Sequence, residues 1–495
     1  MKQVYPDGTE VLAPLTLIVQ ATGVARDLDK RVLPVIDPDM PSHLFHIDMS
    51  SRDKCLGGSA FAQTLGQIGD EVPSLEAKLF QTVFAAVQEM LDAGIIAAGH
   101  DISQGGLITT MLEMAFANTR GGIHMDKRFF TYHNFEFCEP LFAENPGVVI
   151  QVKDGGLSAL EDIAEKYHLD DLHSNRVRHL GNTTDGRDFE IYDADQCVHV
   201  RMNIDELREC WMSPSYDMER RQNKSADLRR KNWAKQPLVI DAPAIHLRRS
   251  EPAATAAVLR DKGTNGDREM AYAAHLGGFK VRDIAMADLT SGRRDLSDVD
   301  LLLLCGGFSN SDVFGAGKVW ADTLKYNARA RDAIMNFYAR ENTLSLGVCN
   351  GCQVLMELGL LGIDAPMRRN DSGKFESAFV SATVPENDSV MLAGLSGMTL
   401  PIWVAHGEGK FDLVGASDYQ TVLRYYYDEY PGNPNGSRGA VAGIASKDGR
   451  HLAMMPHPER AVLSYQWPYG APKGMETTPW LRMFADANSW IRRAR

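Results

Sequence analysis

From Leu238 onward the chain alternates between short apolar runs and helical ones, and this alternation restricts the fold more than any other feature. ATAAVLR (254–260) reads as a buried strand, DREMAYAAHLGG as a helix with a glycine stop, and VRDIAM as a further strand. DVDLLLLCGG is a continuous apolar run ending in glycines. A helix is expected from about Arg329 to Glu341, then a short apolar strand at Thr343–Val348 and another helix beginning at Gln353. Strands alternating with helices of roughly 10–15 residues build a doubly wound, mostly parallel sheet. In such sheets reactive side chains collect at the carboxyl ends of the strands.

The first two hundred residues have a different texture. HLFHIDM, GVVIQV and DFEIYD are strand-like and are mixed with helical segments, so an α/β domain is expected there. Leu75–Ala93 carries Leu79, Phe80, Val83, Val87, Met90 and Leu91 on one face, with Ser74 placed to cap it and Gly94 to stop it. Near the start, APLTLIVQATG (13–23) looks like an interior strand whose partners lie elsewhere, so the chain is expected to be a piece of something longer. Between Asp205 and Pro237 the sequence is crowded with charge and thin in apolar residues, which marks a solvated helical connector. The expected division is 1–204, a charged linker over 205–250, and 251–495.

A chain of 495 residues is too long for one core, and 44% hydrophobic with 24% charged residues is ordinary for a globular protein. A net charge of −13 argues against a nucleic-acid partner, which would want a basic stripe. No stretch reads as a membrane span or a targeting segment, and seven irregularly spaced cysteines do not read as a disulfide framework. A reducing cytoplasm is the expected setting.

Cys349 and Cys352 stand in a C-x-x-C spacing at the junction of the last strand and helix. Gly347-Val348-Cys349-Asn350-Gly351 has the form of a nucleophile elbow, a sharp turn in which side chains at the glycine positions would collide with strand and helix. Such a turn lifts Cys349 above the sheet edge, where the helix start favours a thiolate. A dithiol redox pair remains open, as does an inert buried cysteine; zinc ranks last, because no second close pair supplies the other ligands. Cys352, one turn into the helix, reads as packing.

A thiolate nucleophile wants a base and a group that orients the base. HLAMMPHPER presents His457 at a strand end between two prolines, with Glu459 two residues on, on the same side of an extended segment. Gly306-Gly307-Phe308, at the end of LLLLCGG, offers backbone N–H groups to a developing oxyanion, although a plain strand-to-loop turn reads as well. His406 and Glu408 in AHGEGK form a reserve pair, better suited to a substrate-side or packing role. In HDISQGGL, Asp101 followed by serine and two glycines reads by itself as a turn.

Cysteine, then His-x-Glu, on a doubly wound sheet resembles the class I glutamine amidotransferases. LRDKGTNGDREMA, CGGFSNSDVFGAGKVWA, LGVCNGCQVL, VAHGEGKF and MMPHPER together resemble the glutaminase domain of the phosphoribosylformylglycinamidine synthase family, from about Ala253 to the C-terminus. HDISQGGL with TTMLEMAFA, and LGGSAFAQTLGQIGD, resemble the synthetase domains of the aminoimidazole-ribotide-synthetase superfamily. The resemblance implies that Cys349 attacks the side-chain amide of glutamine, that His457 shuttles protons and that Glu459 orients it. It places Gly307, Phe308, Asn350 and Gln353 around the oxyanion or the substrate. It also implies a nucleotide site (ATP or ADP) with Mg2+ on Asp101 and Ser103 on the nucleotide, a site that looks structural in the large single-chain enzymes. The product of the full enzyme would be the amidine of formylglycinamide ribonucleotide, made with ATP in purine biosynthesis. The chain would begin inside the second synthetase repeat, its partner being the upstream synthetase half. Asn310 and Ser311 depart from the family pattern, which has an aromatic and a glycine there. Two other readings stay open: thiol–disulfide chemistry at Cys349 and Cys352, and a non-catalytic fragment inactive without its upstream half.

Overall fold

The computed structural model describes residues 2–12, 19–25, 27, 30–40, 42–51, 54–69, 71–131, 138–169, 176–192, 197–243, 254–315, 317–363, 365–468, 470–472 and 474–494. Contacts divide the chain into two compact units, Met1–Trp211 and Met212–Arg495. Most of APLTLIVQATG lies outside the described residues. Just before it, Glu10–Leu12 pairs antiparallel with Lys2–Val4.

In the first unit, seven strands form one sheet in the order Ile96–Asp101, Gly147–Lys153, Ser42–Asp48, Val177–Thr184, Gly122–Asp126, Asp188–Tyr192, Val198–Asn203. All neighbours are antiparallel except Gly122–Asp126 beside Asp188–Tyr192. The amphipathic helix Ala77–Asp92 buries Val83, Ala86, Val87 and Met90 in the apolar cluster that includes Ile47, Ile150 and Val152. Gly94 takes up a left-handed conformation (φ 68°) just past its end, the stop the sequence promised. Ser74 does not cap this helix. Glu76 stands at the N-cap without a side-chain bond, and the Ser74 hydroxyl instead meets that of Ser51 at 2.9 Å.

The charged stretch after residue 204 folds into helices Ile204–Gln222 and Ala226–Asn232, and the change of unit falls within the first of them. Its later part is more than a solvated connector. Asn223 and Asn232 are buried, donating to the Tyr430 hydroxyl at 2.9 Å and the Tyr430 carbonyl at 2.8 Å.

The second unit is built on nine strands in the order Phe279–Ala285, Ala254–Arg260, Leu301–Leu304, Leu344–Val348, His451–Met454, Val441–Ser446, Tyr419–Tyr425, Glu376–Thr383, Thr399–His406. The first five are parallel and arise from the strand–helix alternation; from His451–Met454 onward each pairing is antiparallel. The central strands read as unbroken apolar runs because helices cover both faces of a parallel sheet. Leu301–Leu304 and Leu344–Val348 are buried at every position. The antiparallel extension carries Thr399–His406 back toward the segment after strand His451–Met454, and the bridge between Trp403 and His457 ties it there.

Candidate active site

Strand Leu344–Val348 ends at Cys349, and helix Asn350–Glu357 starts at the next residue, three positions earlier than the sequence pattern indicated. Cys349 therefore occupies the N-cap with φ 51° and ψ −106°, a conformation that a side chain rarely adopts. The turn is held from both sides, by the Cys349 N–H on the Met454 carbonyl (2.9 Å) and the Gln353 N–H on the Cys349 carbonyl (3.0 Å). The flanking glycines are required by space. A Cβ on Gly347 would lie 2.6 Å from the Gly351 carbonyl oxygen, and one on Gly351 would lie 2.1 Å from that of Leu304.

His457 follows the neighbouring strand His451–Met454. Its N–H donates to the Trp403 carbonyl at 2.8 Å, and a short 3-10 turn, Pro458–Arg460, begins immediately after it. That turn, not an extended segment, brings Glu459 round, and Glu459 Oε1 meets His457 Nδ1 at 2.6 Å. Both side chains are out of solvent. Burial alone would disfavour the imidazolium. The charge of Glu459, together with the nearby Cys349 sulfur and the hydrogen bond to Glu459, outweighs it and pushes the His457 pKa from 6.5 up to about 9. His457 Nε2 is buried without a hydrogen bond, turned to the Cys349 side. A methyl group built on Gly306 would lie 2.7 Å from His457 Cε1 and 3.4 Å from Cys349 Cβ, so all three share one corner.

The other two cysteines of the second unit are poorly placed for chemistry. Cys352 is fully buried, and burial together with Cys349 drives its thiol pKa well up. Burial likewise raises Cys305, to about 12. A thiol–disulfide exchanger needs accessible, easily ionised sulfur, which Cys352 lacks. Among the described residues no three His, Cys, Asp or Glu side chains converge as metal ligands.

Above Cys349 lies a cleft of about 240 Å³, lined among others by Gly307, Phe308, Gln353, Ala405 and Glu408. Cys349 Sγ donates to the Ala405 carbonyl at 3.3 Å. Among the described residues, the N–H groups of Gly307 and Asn350 donate to no carbonyl or side-chain oxygen, so both are free to meet an oxyanion. The N–H of Phe308 is committed to the Gly263 carbonyl at 2.9 Å, which leaves Phe308 its half-exposed ring as a wall of the cleft. Asn350 Nδ2 donates to Gln353 Oε1 (2.8 Å) and Gln353 Nε2 to the Glu408 carbonyl (2.7 Å), while Asn350 Oδ1 accepts from the Ser309 N–H (3.2 Å). These two side chains thus join the three loops that surround the sulfur.

His406 is held apart from the chemistry. Its Nδ1 meets Asn370 Oδ1 at 3.2 Å and its Nε2 the Tyr425 hydroxyl at 3.3 Å; burial, with the charge of His457, lowers its pKa to about 3. An amide oxygen only accepts, so Nδ1 carries the proton and the ring stays neutral. Asn370, which the sequence did not single out, also accepts from the Gly409 N–H (3.1 Å) and donates to the His406 carbonyl (2.8 Å), fixing the AHGEG turn.

The loop after Gly307 is strained. Asn310, Ser311 and Asp312 are all left-handed, with φ of 51°, 58° and 51°. Ser311 carries a side chain in this conformation, which costs roughly 1–2 kcal/mol relative to glycine. Ser311→Gly is expected to stabilise the second unit by about 1 kcal/mol, seen as a higher transition temperature by calorimetry; an unchanged or lower value would show the strain to be relieved elsewhere.

In the first unit, Asp101 ends strand Ile96–Asp101 and its carboxylate is 77% exposed, with Oδ1 3.3 Å from His100 Nδ1. Ser103 is exposed in the turn before helix Gly106–Phe116. At that helix start the Gly105 N–H is already taken by Glu144 Oε1 at 2.9 Å. One exposed carboxylate beside an imidazole does not by itself make a magnesium site.

Residues 253–491 match the family described as CobB/CobQ-like glutamine amidotransferase domain, and residues 46–193 the AIR synthase related protein, C-terminal domain. The chain is 35% identical over 98% of its length to a probable phosphoribosylformylglycinamidine synthase of Arabidopsis thaliana, named as chloroplastic/mitochondrial, covering 36% of that protein. It is also 35% identical, over 98% of its length, to the human phosphoribosylformylglycinamidine synthase, covering 39% of it. Among solved structures, PurLQS from Thermotoga maritima aligns with 50% of this chain and 99% of its own at 28% identity and a TM-score of 0.39. The chain thus spans well under half the length of these curated relatives. None of the described helices is long and apolar enough to cross a membrane.

Proposed function

We propose, for a chain related over nearly its whole length to phosphoribosylformylglycinamidine synthases, that the second unit is a glutaminase with Cys349 as nucleophile, His457 as proton carrier and Glu459 as its positioning residue. The observation that carries the reading is the buried Nδ1–Oε1 contact of 2.6 Å beside a cysteine in a left-handed N-cap. Cys349 Sγ attacks the side-chain carbonyl carbon of glutamine, and the oxygen becomes an anion facing the N–H groups of Gly307 and Asn350. His457 gives its Nε2 proton to the departing nitrogen; the C–N bond breaks, ammonia leaves, and a thioester remains on Cys349. Water then attacks the thioester while His457 takes a proton from it. Glutamate departs as the C–S bond breaks, and the thiolate–imidazolium pair is restored.

In the full reaction proposed for this family, ammonia meets formylglycinamide ribonucleotide whose amide oxygen ATP has activated. The products are the amidine, ADP and phosphate. That step needs synthetase residues, and the first unit contributes at most part of them. Asp101 and Ser103 remain its proposed contacts to nucleotide-bound magnesium and to nucleotide.

Glu459→Gln tests the positioning role. The amide keeps the shape but removes the charge, so burial prevails and the His457 pKa falls. Glutamine hydrolysis is expected to drop ~10²–10⁴-fold, and the alkaline limb of kcat/KM, set by His457 losing its proton near pH 9, to move to lower pH. An alkaline limb that stays in place would remove Glu459 from this role.

A further inference from the structure

We propose that the loop 261–266 serves catalysis, with Asn265 and Arg460 as positioning residues that aim the Gly307 N–H at the developing oxyanion. This deepens, and rests on, the glutaminase reading. The loop joins strand Ala254–Arg260 to helix Asp267–Leu276 and runs beside the residues that follow strand Leu301–Leu304. Three backbone bonds hold the two segments together. The Asn265 N–H donates to the Gly306 carbonyl at 2.9 Å, the Phe308 N–H to the Gly263 carbonyl at 2.9 Å and the Asn310 N–H to the Lys262 carbonyl at 2.7 Å. Thr264 and Gly307 stand opposite one another as antiparallel partners, and the bonds on either side skip that pair. At such a position the N–H and C=O turn away from the partner segment. The peptide plane leads to the same orientation: the Gly306 carbonyl and the Gly307 N–H belong to one trans peptide and point opposite ways. Fixing the carbonyl on Asn265 therefore turns the N–H away from the loop, and Gly307 lines the cleft above Cys349.

The two segments approach closely. A Cβ on Gly307 would lie 2.4 Å from the Asn265 nitrogen, and one on Gly263 would lie 2.3 Å from the Phe308 carbonyl oxygen. A side-chain bond adds to the backbone ones, Asn310 Nδ2 donating to Asp261 Oδ2 at 2.8 Å. The Thr264 hydroxyl serves the loop itself and donates to the Asp261 carbonyl at 2.8 Å. Asn265 reaches further. Its Oδ1 accepts from Arg460 Nη2 at 2.9 Å. Arg460 follows Glu459 in the 3-10 turn Pro458–Arg460, and its Nε lies 3.8 Å from Glu459 Oε1. Glu459 in turn holds His457. Asn265 thus grips the oxyanion peptide with its backbone and the proton-carrying turn with its side chain. The donor that stabilises the anion and the imidazole that moves the proton are set by one continuous chain of contacts, and a small displacement of either would weaken the transition state without touching the sulfur.

The test compares glutamine hydrolysis with alkylation of Cys349 by iodoacetamide, a displacement that forms no oxyanion, both in the full chain. Asn265→Leu removes the acceptor for Arg460, and Arg460→Met removes the donor. Each is expected to lower kcat roughly 10–100-fold with KM within about threefold of wild type. Alkylation rates should stay within about twofold, showing an intact elbow. Asn265→Asp, which keeps an oxygen for Arg460, should recover most of the lost kcat. In Asn265→Leu the alkaline limb of kcat/KM should stay where it is, because the Glu459–His457 pair is unaltered. An unchanged kcat in either variant, a parallel fall in alkylation, a displaced alkaline limb, or Asn265→Asp as impaired as Asn265→Leu would overturn the proposal. If wild type is alkylated at Cys349 but releases no glutamate, the glutaminase reading itself falls, and this one with it.

Discussion

Cys349→Ala is expected to abolish glutamine hydrolysis, a loss on the order of 10⁴–10⁶-fold, whereas Cys352→Ser should leave turnover within a few-fold of wild type. The contrast follows from where the two sulfurs sit. Cys349 faces the cleft beside a buried imidazole whose second nitrogen is bound to a carboxylate. Cys352 is fully buried one turn along the helix, and its thiol pKa is driven far up. A hydroxyl in its place costs stability by burying a polar group, about 1–3 kcal/mol, but removes no reacting atom. Glutamate release, with peptide mapping of the labelled cysteine, reads both variants. Activity retained in Cys349→Ala and lost in Cys352→Ser would transfer the nucleophile to the second sulfur.

Gly351→Ala should be the most damaging single methyl group in the second unit. The new Cβ would stand 2.1 Å from the Leu304 carbonyl oxygen and 2.7 Å from Leu304 Cβ, both on a buried central strand. Neither neighbour is the loose end of a flexible side chain, so strand and helix must part, at a cost of about 3 kcal/mol or more. Gly155→Ala is the control, since a Cβ there meets nothing within 4 Å and the residue lies in the first unit. Calorimetry on the full chain should show the second unit's transition lowered by several degrees in Gly351→Ala, with the first unit's transition in place. Unchanged transitions would mean that the elbow has room that its backbone does not display.

Much of the second unit is legible because its code is local. The apolar runs ATAAVLR, LLLL and LSLGV can be buried on both faces only in a parallel sheet, and the glycines between them mark the turns. The antiparallel strands from Val441 to His406 in the sheet order carry no comparable signal, because a strand's partners are set by distant segments and not by its own pattern. Ser74 shows the same limit on a smaller scale: a capping residue at nearly the right place was drawn off by Ser51, 23 positions away in the chain. Asn370 passed unnoticed because it sits in no recognisable spacing. Its significance comes from the AHGEG turn that folding lays against it.

The residues alone determined which side chains could do the chemistry: a cysteine between glycines too close-packed to carry a Cβ, and a histidine followed two positions on by a glutamate. Only the folded chain decided that they meet. More than a hundred residues separate Cys349 from His457, and their strands become neighbours because Leu344–Val348 and His451–Met454 pair in parallel across the sheet. The charge state of the site was decided there as well, since the same burial that leaves His406 neutral is outweighed at His457 by one carboxylate held 2.6 Å away.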